Sequence, residues 1–141
     1  MPDGGPMELV RILVVDDSAS DRELARRTLA HLKVTNEVQM AEDGEEALAQ
    51  LRSDAPSPHL VLLDLNMPGM GGPALLKEIK ADPELRTLRV VILTSSDAEE
   101  DVASAYHNDC SGYIRKPVDL DGLVRVIQGI EGYWLAIVRL P

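Results

Sequence analysis

The sequence predicts an α/β fold: a doubly wound sheet of five parallel strands in the order 2-1-3-4-5, with helices on both faces. Three observations carry this expectation. Five short apolar runs alternate with segments of helical pattern. Three of the runs are nearly continuous in Val, Ile and Leu, the mark of strands covered on both faces. The chain has 141 residues, 45% of them apolar, enough for one core and too few for a second. Connections between parallel strands are almost always right-handed, so the helices must fall on both sides of the sheet.

Residues 1–9 read as a flexible lead-in and 10–130 as the domain. The first strand is RILVV (Arg11–Val15). Ser18 followed by Asp21 opens the first helix in a capping-box pattern, and Ala25, Leu29 and Leu32 give that helix an apolar face. EVQM (Glu37–Met40) is a shorter, more polar strand, as a sheet edge would be. Asp43 with Glu46 opens the second helix, faced by Ala47, Leu48 and Leu51. The central strand is HLVLL (His59–Leu63). After it, Pro73 suits the first turn of a third helix, where its missing N–H costs nothing, and Leu75, Leu76 and Ile79 follow at helical spacing. Ala81–Arg89, with Asp82-Pro83, reads as a surface loop before RVVIL (Arg89–Leu93). Ser96 with Glu99 opens a fourth helix, its apolar stripe carried by Val102, Ala103 and Tyr106. GYIR (Gly112–Arg115) is the second edge strand. A fifth helix starts near Asp119, with Leu120, Leu123, Val124 and Ile127 on one face. The order is (βα)5, a flavodoxin-like three-layer sandwich.

Composition narrows the function. The formal net charge is -10, and nucleic-acid binding depends on cations displacing counterions from phosphates. No Lys/Arg cluster offsets the charge, so a protein partner is expected rather than a nucleic acid. No apolar run approaches the ~18 residues of a membrane span. The N-terminus lacks the pattern of a secretory signal. A lone cysteine, Cys110, excludes a disulfide framework and suits a reducing cytoplasm.

The polar residues that end the strands carry the chemistry. In such sheets ligands bind beyond the carboxyl ends of the strands, near the switch point between strands 1 and 3. Strand 1 runs into Asp16-Asp17, strand 3 into Asp64, strand 4 into Thr94-Ser95 and strand 5 into Lys116-Pro117. Any one of these has a plain structural use as a turn former, cap or surface charge. Together they bring three carboxylates, a hydroxyl and an ammonium to one edge. Crowded carboxylates repel one another and lose hydration. A hard divalent cation such as Mg²⁺ relieves this, coupling one or two carboxylates to a phosphate. Asp64, on the central strand, is placed to attack phosphorus and form an acyl phosphate. Phosphoryl transfer needs positioning and charge neutralisation above all, which Mg²⁺, Lys116 and the Thr94 hydroxyl would supply.

The motifs VVDDS (Val14–Ser18), LLDLNMPGMGG (Leu62–Gly72), ILTSS (Ile92–Ser96) and YIRKP (Tyr113–Pro117) resemble the receiver domain of bacterial two-component response regulators. The resemblance spans about Arg11 to Ile130. It implies that Asp64 is the phosphoacceptor, loaded from a phosphohistidine on a sensor histidine kinase. It implies that Asp17 ligates Mg²⁺ directly, Asp16 mainly through water, and Asn66 through its backbone carbonyl. Thr94 and Tyr113 match the family's switch pair, Lys116 the cation that salt-bridges the phosphoryl group, and Lys116–Pro117 a bond usually cis. Pro68 and Gly69 match the turn after the phosphoacceptor, while Ser96 stands where many relatives carry an acidic or larger polar group.

No effector domain follows the fifth helix, so output is expected through a phosphorylation-dependent protein contact, or through onward transfer as a phosphorelay intermediate or phosphate sink. The segment 131–141 extends an apolar stripe through Tyr133, Trp134, Ile137 and Val138. It reads as a dimer or partner contact, and a homodimer is expected. This tail and the Ala81–Arg89 loop also resemble the regulators paired with bacterial phytochromes. Two other functions compete. An aspartyl-phosphate phosphatase usually has a second acid where this chain has Asn66, and needs a cap for which there is no room. A non-phosphorylated scaffold would have no use for the full set Asp16, Asp17, Asp64, Thr94 and Lys116. His31, His59 and His107 show no ligand spacing, Cys110 reads as a small apolar filler, and Met67 and Met70 as loop packing.

Overall fold

The computed structural model describes residues 10–31, 36–104 and 109–128. Strands and helices alternate through them as β1 (Val10–Val15), α1 (Ala19–Leu29), β2 (Asn36–Ala41), α2 (Gly44–Leu51), β3 (Leu60–Asp64), α3 (Gly72–Ala81), β4 (Arg89–Thr94), α4 (Asp97–Ser104), β5 (Gly112–Arg115) and α5 (Leu120–Gln128). Every pairing is parallel, in the order β2-β1-β3-β4-β5 that the sequence predicts. The two polar runs are the edge strands. The lead-in, Leu32, Tyr106, His107 and the extension 131–141 fall outside the described residues. Among the described residues no helix is long and apolar enough to cross a membrane.

Period-2 alternation in the strands builds one core on each face of the sheet. Val10, Ile12 and Val14 of β1 and Leu60 and Leu62 of β3 pack with Ala25 and Leu29 of α1 and Leu123 and Val124 of α5. Their neighbours Leu13, Val15, Val61 and Leu63 point the other way, to Ala47 of α2, Leu75 and Ile79 of α3 and Ala103 of α4. Burial of each such Val or Leu side chain favours the fold by roughly 1.5–3 kcal/mol before chain entropy is subtracted. The strands that hold the polar edge are therefore clamped between two dry layers.

Helix starts follow the expected chemistry, with one diversion. Ser18 Oγ accepts from the Asp21 N–H (3.2 Å), Asp43 from Glu46 (2.8 Å) and Ser96 from Glu99 (3.2 Å). The return arms of Glu46 and Glu99 reach one residue beyond the cap, to the N–H groups of Glu42 (2.6 Å) and Ser95 (2.7 Å). Asp21 makes no such return bond; its carboxylate turns to Lys116 instead. Asp119 caps α5 through the Gly122 N–H (2.7 Å).

Two other expectations need correction. The Ala81–Arg89 connection is more than a surface loop: turns closed by Asp82 and Leu85 push Leu85 into the core, where it is 4% exposed. Val102 does not share the buried stripe of α4 and is 45% exposed, while Ala103 is buried. Adjacent helical residues point about 100° apart, and on so short a helix only one of the two can face the sheet. His59, set aside as a ligand, ties β1 to the start of β3. Its Nδ1 accepts from the Arg11 N–H (2.9 Å) and its own N–H donates to the Arg11 carbonyl (2.8 Å). Met67, Met70 and half-buried Cys110 pack against the second core, and burial pushes the Cys110 thiol up from its usual pKa.

Candidate functional site

Each polar residue at the carboxyl edge is held by the strand it ends. Asp16 leaves β1 with its N–H on the Ala41 carbonyl (3.1 Å). Its Oδ1 accepts from the Ser18 N–H (2.9 Å), an Asx-type turn that fixes the carboxylate, and its carbonyl accepts from Arg22 Nη1 (2.7 Å). Asp16 is buried and Asp17, next to it, is exposed. Asp64 is the last residue of β3, level with Leu93, and only 3% exposed. The chain after it turns through Gly69, whose φ of 69° lies in the left-handed region. Gly72 then brings α3 so close that a Cβ there would lie 2.6 Å from the Asp64 carbonyl oxygen. A side chain at 72 would displace the backbone that aims Asp64.

Thr94 closes β4 fully buried, its hydroxyl only loosely engaged with the Ile114 carbonyl at 3.5 Å. Lys116 follows β5, its N–H on the Thr94 carbonyl (2.7 Å), and the Lys116–Pro117 bond is cis. The Lys116 ammonium lies 2.9 Å from Asp16 Oδ2, 3.0 Å from Asp21 Oδ2 and 3.2 Å from Asp64 Oδ1. Tyr113 is directed outward, 41% exposed. The side-chain amide of Asn66 donates to Glu99 of α4, and the same Glu99 holds the Ser95 N–H.

Electrostatics follow from this crowding. Asp16, Asp17 and Asp64 can each bring an oxygen within 4.8 Å of the other two. Burial first, then the neighbouring Asp16 carboxylate, push the Asp64 pKa up to about 7; Lys116 pulls it back and Asp17 adds to the rise. Burial drags the Lys116 ammonium down, but the oxygens of Asp16 and Asp21 more than reverse this and hold it above its ordinary pKa. Asp16 Oδ2 is buried at ion-pair distance from Lys116 yet receives no aligned hydrogen bond. A buried carboxylate oxygen without a donor, beside two more carboxylates, is the donor set a hard divalent cation fits.

The profile described as "Response regulator receiver domain" matches residues 12–128. This chain belongs to the response regulator receiver family. It is 38% identical over 135 residues to response regulator Rcp1 of Synechocystis sp., covering 92% of each chain. Among solved structures, the bacteriophytochrome response regulator AtBRR superposes with a TM-score of 0.80 at 35% identity, over 87% of this chain and 93% of that one. The phosphorylated cyanobacterial phytochrome response regulator RcpA gives 0.74 at 38% identity, over 95% and 99%. The Mn²⁺-bound form of Rcp1 gives 0.70 at 38% identity, over 96% and 99%. The resemblance to regulators of the phytochrome kind is thus borne out. Receivers are signalling proteins that take a phosphoryl group on an aspartate and bind a divalent metal at an acidic pocket, and Asp16, Asp17 and Asp64 form a cluster here that could hold such an ion.

Sequence reading brought together residues that do meet: Lys116 lies against both Asp16 and Asp64, Asp17 brings an oxygen within 4.8 Å of the other two carboxylates, and the Thr94 carbonyl takes the Lys116 N–H. It missed Asp21 and Glu99. Both were visible as acids three residues after a cap, and Asp21 was read as a return arm only. Nothing local in the sequence points from Asp21 to a lysine 95 residues on.

Proposed function

We propose that Asp64 is the phosphoacceptor of this receiver. The observation that carries the reading is the placement of its buried carboxylate between two further carboxylates and the Lys116 ammonium. One Asp64 oxygen attacks the phosphorus of a phosphohistidine on a sensor histidine kinase, a bacterial phytochrome by the likeness to phytochrome regulators. The new O–P bond forms as the N–P bond breaks, and the imidazole leaves with the bonding pair. Asp17 would hold Mg²⁺ directly, Asp16 mainly through water and Asn66 through its backbone carbonyl. When bound, the ion neutralises charge on the phosphoryl oxygens. Lys116 neutralises the remainder, and the loosely held Thr94 hydroxyl turns to a phosphoryl oxygen. The chain thereby promotes its own phosphorylation, and its own dephosphorylation when water attacks the phosphorus, the Asp64 carboxylate leaves and inorganic phosphate is released.

The phosphoryl group adds roughly 1.5 to 2 negative charges and three acceptors. Thr94 leaves the Ile114 carbonyl to meet them, and Tyr113 follows from its exposed position. The face of α4 and β5 then presents a changed surface to a protein target. The net charge of -10 favours such a target over nucleic acid. Residues 131–141 supply a homodimer contact, and the cytoplasm is the compartment.

Intact-protein mass after incubation with a small phosphodonor and Mg²⁺ tests the reading. One added phosphoryl group is expected, lost without metal and lost in Asp64→Asn. Addition that persists in Asp64→Asn would assign the acceptor elsewhere.

A further inference from the structure

We propose that Asp21 is an internal competitor for Lys116, holding the ammonium in the unloaded site and yielding it when a phosphoryl group arrives on Asp64. The inference deepens the receiver reading above and rests on it.

A lysine ammonium has three N–H donors. Three carboxylate oxygens, from Asp16, Asp21 and Asp64, already lie within 3.2 Å of Lys116 Nζ. Of the Asp16 and Asp21 contacts, the one to Asp21 has the alignment of a hydrogen bond, and Asp16 Oδ2 is left without one. The ammonium is therefore turned towards α1. Turning that aligned donor to a phosphoryl oxygen on Asp64 draws the ammonium away from Asp21.

The three contacts differ in what replaces them. The Asp16 and Asp64 side chains are 1% and 4% exposed, whereas that of Asp21 is 39% exposed. Water can solvate Asp21 once the lysine leaves, at the small cost typical of a half-exposed ion pair. It cannot do so for Asp16, and the contact to Asp64 passes to the phosphoryl group that Asp64 then carries. Asp21 is thus the partner that yields. Its position is fixed: it sits in the first turn of α1, with its N–H on Ser18 Oγ, where the helix dipole favours negative charge. Asp21 touches no reacting atom and is a positioning residue, acting through Lys116.

Beryllofluoride with Mg²⁺ mimics the phosphoryl group without turnover, and its titration followed by fluorine NMR tests the proposal. Removing a competitor of this kind should tighten binding roughly two- to fivefold in Asp21→Ala, the range of an exposed ion pair. Asp21→Glu should return binding to the wild-type value, and Mg²⁺ affinity measured alone should stay unchanged. A mere packing defect would weaken binding, not strengthen it. In a Lys116→Ala background the gain should vanish; an equal gain there would assign the effect to bulk charge and overturn the proposal. So would equal or weaker binding in Asp21→Ala. Wild-type chain that binds no beryllofluoride with metal would remove the receiver reading too, whereas wild-type binding unaffected by Asp21→Ala would remove this inference alone.

Discussion

The two ends of the sheet are built from the same strands and treat polar groups in opposite ways. At the amino end several polar groups pair with one another. The His59 ring accepts the Arg11 N–H, Arg52 lies 3.3 Å from Asp82 and 3.5 Å from Glu78, and Lys80 donates to the Arg86 carbonyl. Leu85 plugs the core beside them. At the carboxyl end, Asp16, Asp17, Asp21 and Asp64 share their edge with Lys116, one buried oxygen lacks an aligned donor, and burial beside Asp16 pushes the Asp64 pKa up to about 7. The amino end is finished by the chain itself. The carboxyl end is finished by what binds there, and the shortfall of positive charge is what makes it a site.

The largest test of the contrast is at the amino end. Leu85→Ala should lower unfolding free energy by about 3 kcal/mol, as buried leucine truncations do. Denaturant melts would show the loss, while phosphoryl loading of the folded fraction stays as in wild type. If loading also collapsed, the two ends would not be separable.

A second test uses pH. The Asp64 carboxyl has an ordinary pKa of 3.8 and a folded one of about 7 without metal. Between those values the folded state binds more protons than the unfolded one, so metal-free stability falls as pH rises through this window. From about pH 5.5 to about pH 8 the Asp64 share of that fall is on the order of 2 kcal/mol. Thermal melts with and without Mg²⁺ should therefore diverge with rising pH, metal stabilising more at the alkaline end. In Asp64→Asn this Asp64 share should disappear; curves that remain parallel in the wild type would mean the carboxylates are compensated already.

The smallest effect returns to the amino end. His59→Phe keeps the ring volume and removes the acceptor of the Arg11 N–H, which should cost about 1 kcal/mol in a denaturant melt. No change in loading is expected.

The same contrast explains what could be read in advance. Strands such as VRILVV and LVLLD announce themselves because two covered faces demand unbroken apolar runs. Asp64, Thr94 and Lys116 were legible because the end of a strand is a place in sequence as well as in space. Leu85 was hidden because its burial depends on a turn, not on a period. Val102 was misplaced because α4, eight residues long, leaves a period little room to declare its phase. Asp21 was half legible: its cap bond is local, while its bond to Lys116 joins the first helix to the turn after the last strand.

That last bond has a consequence for the order in which the pocket comes into being. Synthesis runs from the amino terminus, so Asp16, Asp17, Asp21 and Asp64 all leave the ribosome before Lys116 does. Until then the growing chain carries the acidic half of a site with no lysine to answer it, and the mutual repulsion of those groups works against early closure of the sheet edge. Docking of β5 on β4 is what brings Lys116 to those carboxylates. A chain that stops short of residue 116 keeps Asp16, Asp21 and Asp64 and lacks the ammonium that lies within 3.2 Å of all three.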